Sequence, residues 1–114
     1  ELLINTLKGM REGRITPLPQ RGDASYAPVI KKSDGLIDWS LPALAIQNRV
    51  RAFFPWPSAY TTLKGKTLRI LRAVATSGTA PPGMIARIDS GHLVVGTGEG
   101  LLEILELQVE GKRA

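Results

Sequence analysis

Leu2, Leu3, Thr6, Leu7 and Met10 recur at helical spacing, and Gly13 follows where a C-terminal helix glycine belongs. The spacing predicts a helix over residues 1–12. No capping residue precedes it, and its apolar stripe has nothing of its own to pack on, so the expectation is a helix cut from a larger preceding domain. Residues 13–24, with Pro17, Pro19, Gly22 and Asp23, lack periodicity and read as a linker. Residues 25–30 form a short strand-like run, and Ser33-Asp34-Gly35 is a turn in which the glycine is free to take positive φ. Ser40 is a good N-cap and Pro42 suits a first helical turn. From there Ala43, Ile46, Val50 and Phe53 line one helix face while Gln47, Asn48 and Arg51 lie away from it. Pro55 and Pro57 end that helix.

Beyond Pro57 the period changes from helical to alternating. Residues 59–63 and 67–75 read as strands joined by a tight Lys64-Gly65-Lys66 turn. Leu68, Ile70 and Val74 share one face of the second strand, and Arg72 shares it too, as at a barrel rim where a long stem reaches water. Residues 76–83 are a loop, and 84–89 with 93–97 bracket Ser90-Gly91-His92 as a hairpin. Residues 101–110 stay open between two readings. Glu103, Glu106 and Glu110 sit at helical spacing, whereas Leu105, Leu107 and Val109 alternate as a strand if a bulge near 104–105 repairs the phase. The pattern as a whole predicts a mainly β fold: a small OB-like closed β-barrel with one inserted α-helix, preceded by a short helix and linker.

Composition narrows the chemistry. The 114 residues are one domain's worth of chain, 43% hydrophobic, with no cysteine and one histidine. Disulfides, thiolate metal sites, cysteine nucleophiles and multi-histidine metal cages are therefore excluded. Apolar runs are far shorter than a membrane span needs, and Glu1 and Lys8 interrupt any signal-peptide core. The expectation is a small basic intracellular protein that is not an enzyme by itself. The net charge of +5 is unevenly distributed. Residues 24–87 carry nine basic and two acidic groups, whereas 88–110 carry five acidic groups and no basic one. Such segregation fits either a cationic face held toward a polyanion or two solvated faces that meet across the fold.

Three constellations have plainer readings than catalysis. Gly96-Thr97-Gly98-Glu99-Gly100 fits neither dinucleotide nor P-loop spacing, and Glu99 would repel phosphate, so it reads as a turn. His92, with only Asp89 as an obvious carboxylate neighbour, reads as a solvated turn histidine. Phe53, Phe54, Trp56 and Tyr60 read first as core, with stacking on unpaired bases as the alternative, most open at Trp56. The strongest candidate is the basic set: Lys64, Lys66, Arg69 and Arg72 on one hairpin, Lys31 and Lys32 before the turn, and Arg51 on the helix. Cations spaced along a ridge are what phosphate binding requires. No aromatic RNA-recognition motif or helix-turn-helix pattern accompanies them, so backbone and shape recognition of structured RNA is the natural mode.

Several segments together resemble a known family. Tyr26-Ala27-Pro28, Ile37-Asp38-Trp39-Ser40, Ile46-Gln47-Asn48-Arg49-Val50-Arg51-Ala52, Pro55-Trp56-Pro57-Ser58-Ala59-Tyr60-Thr61 and the ending Leu105-Glu106-Leu107-Gln108-Val109-Glu110-Gly111-Lys112-Arg113 resemble the C-terminal domain of methionyl-tRNA formyltransferases in order and spacing. Ser58 stands where that family usually has glycine. The resemblance implies an OB-like tRNA-binding domain over 24–114, and assigns 1–23 to the last helix of a catalytic domain plus linker. It implies that 101–110 is a strand. It further implies initiator methionyl-tRNA as partner, and the basic set Lys31, Lys32, Arg51, Lys64, Lys66, Arg69 and Arg72 is then expected to contact its phosphates. The co-substrate of the full-length enzyme would be 10-formyltetrahydrofolate, with no cofactor, metal or catalytic residue in this fragment. The partner in cis would be the protein's own N-terminal catalytic domain, in the bacterial cytoplasm or, alternatively, an organellar matrix. The rival is the C-terminal module of another formyltetrahydrofolate-dependent formyltransferase, acting as a protein-docking domain.

Overall fold

In the computed structural model, residues 1–112 are described. Their elements run α1 (Leu2–Arg11), a 3-10 turn (Lys32–Gly35), α2 (Ala43–Phe53), β1 (Ala59–Leu63), β2 (Lys66–Thr76), β3 (Ile85–Asp89), β4 (His92–Gly96) and β5 (Leu101–Val109). The five strands make one antiparallel sheet in the order β1-β2-β5-β4-β3. The fold is mainly β with two α-helices. The predicted closed barrel is corrected, because β1 and β3 remain the two edges of the sheet and share no ladder.

The sheet nevertheless curls. A small cavity of about 60 Å³ is lined by Leu63 from β1, Leu68 from β2, Leu107 from β5, Leu93 from β4 and Ile85 from β3, so both edges border one interior. Trp39 lies against that interior and donates its indole N–H to Thr61 Oγ1 at 3.2 Å. The other end is filled by α2. Ile46 and Val50 pack with Ile37, Ala59, Ile70, Val95, Leu102 and Ile104 in the buried core. Burying side chains of this size contributes roughly 1.5–3 kcal/mol each, which is what holds a helix of eleven residues on the sheet.

The β2–β5 ladder supplies the curvature. Ile70 faces Leu107, Arg72 faces Glu106 and Ala73 faces Ile104, leaving Leu71 on β2 and Leu105 on β5 without partners. The expected irregularity near 104–105 is therefore present, and 101–109 is a strand. The bulge also flips the phase of β2. Ala73 packs on the core, whereas Val74 and Arg72 are exposed, which corrects the expectation that Arg72 and Val74 share the face of Ile70.

Four further expectations change. Residues 25–30 are not a strand: Tyr26 and Val29 are exposed and the run pairs with no strand. Ser40 does not cap α2; its hydroxyl donates to Asp38 Oδ1 at 2.6 Å. The helix starts later, and the N–H of Ala43 donates to the carbonyl of Glu99 at 2.9 Å, so the β4–β5 connection takes over the cap. Gly98 makes this possible, because a Cβ there would stand 1.8 Å from the carbonyl oxygen of Ser40. Gly35 is needed for the same kind of close approach, toward the Ser58 carbonyl, and not for positive φ. Gln47 turns inward, its Oε1 accepting the N–H of Ala75 at 2.7 Å.

The N-terminal part is different in kind. α1 exposes Leu2, Leu3, Ile4 and Leu7, and residues 14–31 form no regular element.

Candidate nucleic-acid interface

The β1–β2 hairpin presents the first cations. Lys64 and Gly65 both take positive φ, 49° and 77°, the geometry of a two-residue hairpin turn. Lys64 therefore lies at the tip and Lys66 opens β2. Alternation along β2 sends Leu68 and Ile70 inward and Arg69 outward, where its strand neighbours are Tyr60 on β1 and Gln108 on β5. The bulge then keeps Arg72 outside.

Two clefts gather these side chains with others. One, of about 440 Å³, is lined by Lys32, Tyr60, Arg69, Gln108, Glu110 and Lys112, with Pro57 at its border. The second, of about 370 Å³, lies between α2 and the bulge and is lined by Arg51, Phe54, Leu71, Arg72 and Glu106. The structure thus brings together Lys32 with Arg69, and Arg51 with Arg72. Lys64 and Lys66 stay at the hairpin tip, and Lys31 lies at the start of the 3-10 turn, its N–H donating to Asp34 Oδ2 at 2.8 Å. All seven are exposed. The seven cations are not one cluster.

Electrostatics adds a qualification to the charge pattern. The acidic strand β5 does not occupy a remote face; it is hydrogen-bonded to basic β2, with Glu106 opposite Arg72 and Glu110 in the cleft of Arg69. Yet none of the seven cations forms a salt bridge among the described residues, whose ion pairs are Arg14–Glu12, Arg87–Asp89 and His92–Glu103. Arg51 spends one N–H on Asn48 Oδ1 at 3.3 Å. Asp38 is held below the ordinary carboxyl value by hydrogen bonds from the Ser40 hydroxyl and N–H.

Sequence reasoning missed three lining residues. Tyr60 reads in the sequence as a core aromatic, and Gln108 and Lys112 only as parts of the family-like ending. Strand alternation on β5 puts Gln108 on the face of Glu106, which is the signal that finds it. His92 has a better partner than Asp89: its Nδ1 lies 3.0 Å from Glu103 Oε1, across the β4–β5 ladder. Among the described residues no group of three or more His, Asp or Glu side chains is placed to hold a metal ion.

The described residues thus form a curled antiparallel sheet with α2 packed on it and exposed cations on its outer side. Residues 29–114 match the family described as formyl transferase, C-terminal domain, and the chain belongs to that family. It is 48% identical over 113 residues to the methionyl-tRNA formyltransferase of Thermodesulfovibrio yellowstonii, covering 99% of this chain and 36% of that protein. With the enzyme of the same name from Thermus thermophilus it is 43% identical, covering 100% of this chain and 37% of that one. The chain thus spans little more than a third of the length of these relatives. Among solved structures, a variant of HypX from Aquifex aeolicus superposes with a TM-score of 0.64 at 20% identity, covering 97% of this chain and 20% of HypX. HypX in complex with tetrahydrofolic acid gives a TM-score of 0.63 at 20% identity, covering 96% and 20% of the two chains. Those likenesses establish a shared fold.

Proposed function

We propose that this chain is the tRNA-binding C-terminal domain of a methionyl-tRNA formyltransferase. It holds initiator methionyl-tRNA by its backbone while an N-terminal catalytic domain transfers formyl from 10-formyltetrahydrofolate. The observation that carries the reading is the exposed, unbridged state of Lys31, Lys32, Arg51, Lys64, Lys66, Arg69 and Arg72 among the described residues, in a chain whose relatives bear that enzyme's name. Exposed ammonium and guanidinium groups with no carboxylate partner are free to displace counterions from phosphates. Arg69 and Arg72 offer planar forks suited to phosphate oxygens, and the lysines act as point charges. We read the curled sheet as OB-like with an open seam, and residues 1–23 as the last catalytic-domain helix and linker, whose exposed leucines face that domain. No helix among the described residues is long and apolar enough to cross a membrane, in keeping with a cytoplasmic assignment.

The test is binding of initiator tRNA by this chain across a salt series. With four phosphates engaged, log K falls against log salt with a slope of about −3, roughly a 60-fold loss between about 50 and 200 mM. Binding indifferent to salt, or no binding, overturns the proposal. The exposed apolar side chains of α1 and of Phe54 and Trp56 favour a second reading, a docking module of another formyltetrahydrofolate-dependent formyltransferase, in which the basic face meets its own catalytic domain. That reading predicts no tRNA binding by the isolated chain.

A further inference from the structure

The segment Phe54-Pro55-Trp56-Pro57 joins the two clefts: Phe54 lines the one shared by Arg51 and Arg72, and Pro57 borders the one shared by Lys32 and Arg69. It carries two large aromatic rings into solvent, with Phe54 58% and Trp56 61% exposed. Neighbouring Phe53 is partly buried beside Ile46 and Ala59, whereas these two rings stay outside.

The backbone beneath the rings is firmly held. Ser58 is buried at 6% exposure with φ of 66°, its N–H donates to the Phe53 carbonyl at 2.9 Å, and its hydroxyl donates to the Pro55 carbonyl at 2.9 Å. The Ser58 carbonyl is seated so closely on Gly35 that a Cβ there would stand 2.2 Å away. Pro55 and Pro57 fix two further φ angles. An exposed indole on a pinned loop loses little conformational freedom when it meets a flat partner.

We infer that Trp56, flanked by Phe54, is a stacking platform for an unpaired base of the bound RNA, and that the domain engages a single-stranded nucleotide as well as duplex phosphates. The inference rests on the RNA-binding reading above and adds a ligand element to it. Base stacking on an aromatic ring is sequence-tolerant and is strengthened by nearby phosphate-neutralising cations. Trp56 lies in the chain between Phe54, which lines the cleft of Arg51 and Arg72, and Pro57, which lines the cleft of Lys32 and Arg69.

The experiment compares two RNA hairpins of equal phosphate number, one blunt and one ending in a short unpaired tail. The chain, W56A and W56F are titrated with each, following both anisotropy and tryptophan fluorescence. The tail strengthens binding by the original chain about tenfold, and RNA quenches the emission that W56F lacks. W56A loses the tail preference while its blunt-hairpin affinity and salt slope stay within about twofold, and W56F keeps most of the preference. Thermal unfolding of W56A matching the original chain shows that the loss is not a folding defect. If both hairpins bind equally, or W56A keeps the preference, stacking is overturned while the backbone reading stands. If neither hairpin binds, both fall, and the exposed aromatics belong to a protein contact.

Discussion

The two hairpins of this sheet have the same turn and opposite charge economies. Lys64-Gly65 joins β1 to β2 and Ser90-Gly91 joins β3 to β4, with positive φ at all four positions. In the β3–β4 hairpin each basic group has a carboxylate nearby: Arg87 Nε lies 3.8 Å from Asp89 Oδ2, and His92 lies 3.0 Å from Glu103. In the β1–β2 hairpin Lys64, Lys66, Arg69 and Arg72 have none within salt-bridge reach among the described residues. Burial diverges too. Ile70 of β2 is 1% exposed, whereas every residue of β3 is exposed. Both hairpins reach the core, one through Ile70 of β2 and the other through Val94 and Val95 of β4. The first leaves its charges open, while the second has carboxylates beside its basic groups and an exposed edge strand. Turn geometry therefore does not separate the two hairpins, whereas the missing carboxylates do, and it is on them that the proposed phosphate contacts rest.

The contrast can be attacked first through the core. Ile70→Ala is expected to cost about 3 kcal/mol in denaturant unfolding, whereas Ile88→Ala on exposed β3 costs less than about 0.5 kcal/mol. Comparable losses would erase the difference in anchoring. Next come the charges. Replacing Lys64, Lys66, Arg69 and Arg72 together by alanine flattens the salt slope of tRNA binding from about −3 toward zero, irrespective of tRNA sequence. Replacing Arg87 and His92 leaves affinity within about twofold, as a filter-binding series would read.

Smaller effects sharpen the paired side. Glu103→Gln removes the His92 partner at a part-exposed site and lowers stability by no more than about 1 kcal/mol, measurable by chemical unfolding near neutral pH. The least of the four concerns Asp38, whose carboxyl titrates below its ordinary 3.8 because Ser40 donates twice to it. A depressed carboxyl contributes stability that is present above the unfolded value and lost as pH falls through the folded one. An NMR titration of Ser40→Ala should find the Asp38 midpoint moved up; a midpoint that stays put would detach the shift from that hydroxyl.

Much of this fold is written in short-range chemistry. Alternation marked residues 59–63, the Lys64-Gly65 pair marked its turn, and Ala43, Ile46 and Val50 marked the buried face of α2. What local pattern could not carry was partnership over distance. The run at 25–30 has strand composition but meets no edge, and Ser40 has cap chemistry but lies too early, since the Glu99 carbonyl waits for Ala43. Gln47 looks polar and outward until Ala75 supplies an N–H. The bulge was inferred on β5 from its phase break, yet its consequence for Arg72 and Val74 on β2 required the register between the two strands. For the site, the cations were legible as residues, whereas their division between two clefts and the solvent-facing Trp56 were not.

The sheet order has a consequence for assembly in time. β5 is the last of the five strands to leave the ribosome, yet it lies in the middle, between β2 and β4, and the connection before it holds the start of α2. Everything made earlier, the cationic hairpin and the helix included, lacks its central partner until the end. Folding therefore waits on long-range closure and proceeds late and all at once rather than piece by piece during synthesis. A nascent chain halted before residue 101 would expose the core faces of two separate hairpins, making that pause the moment of greatest exposure to aggregation.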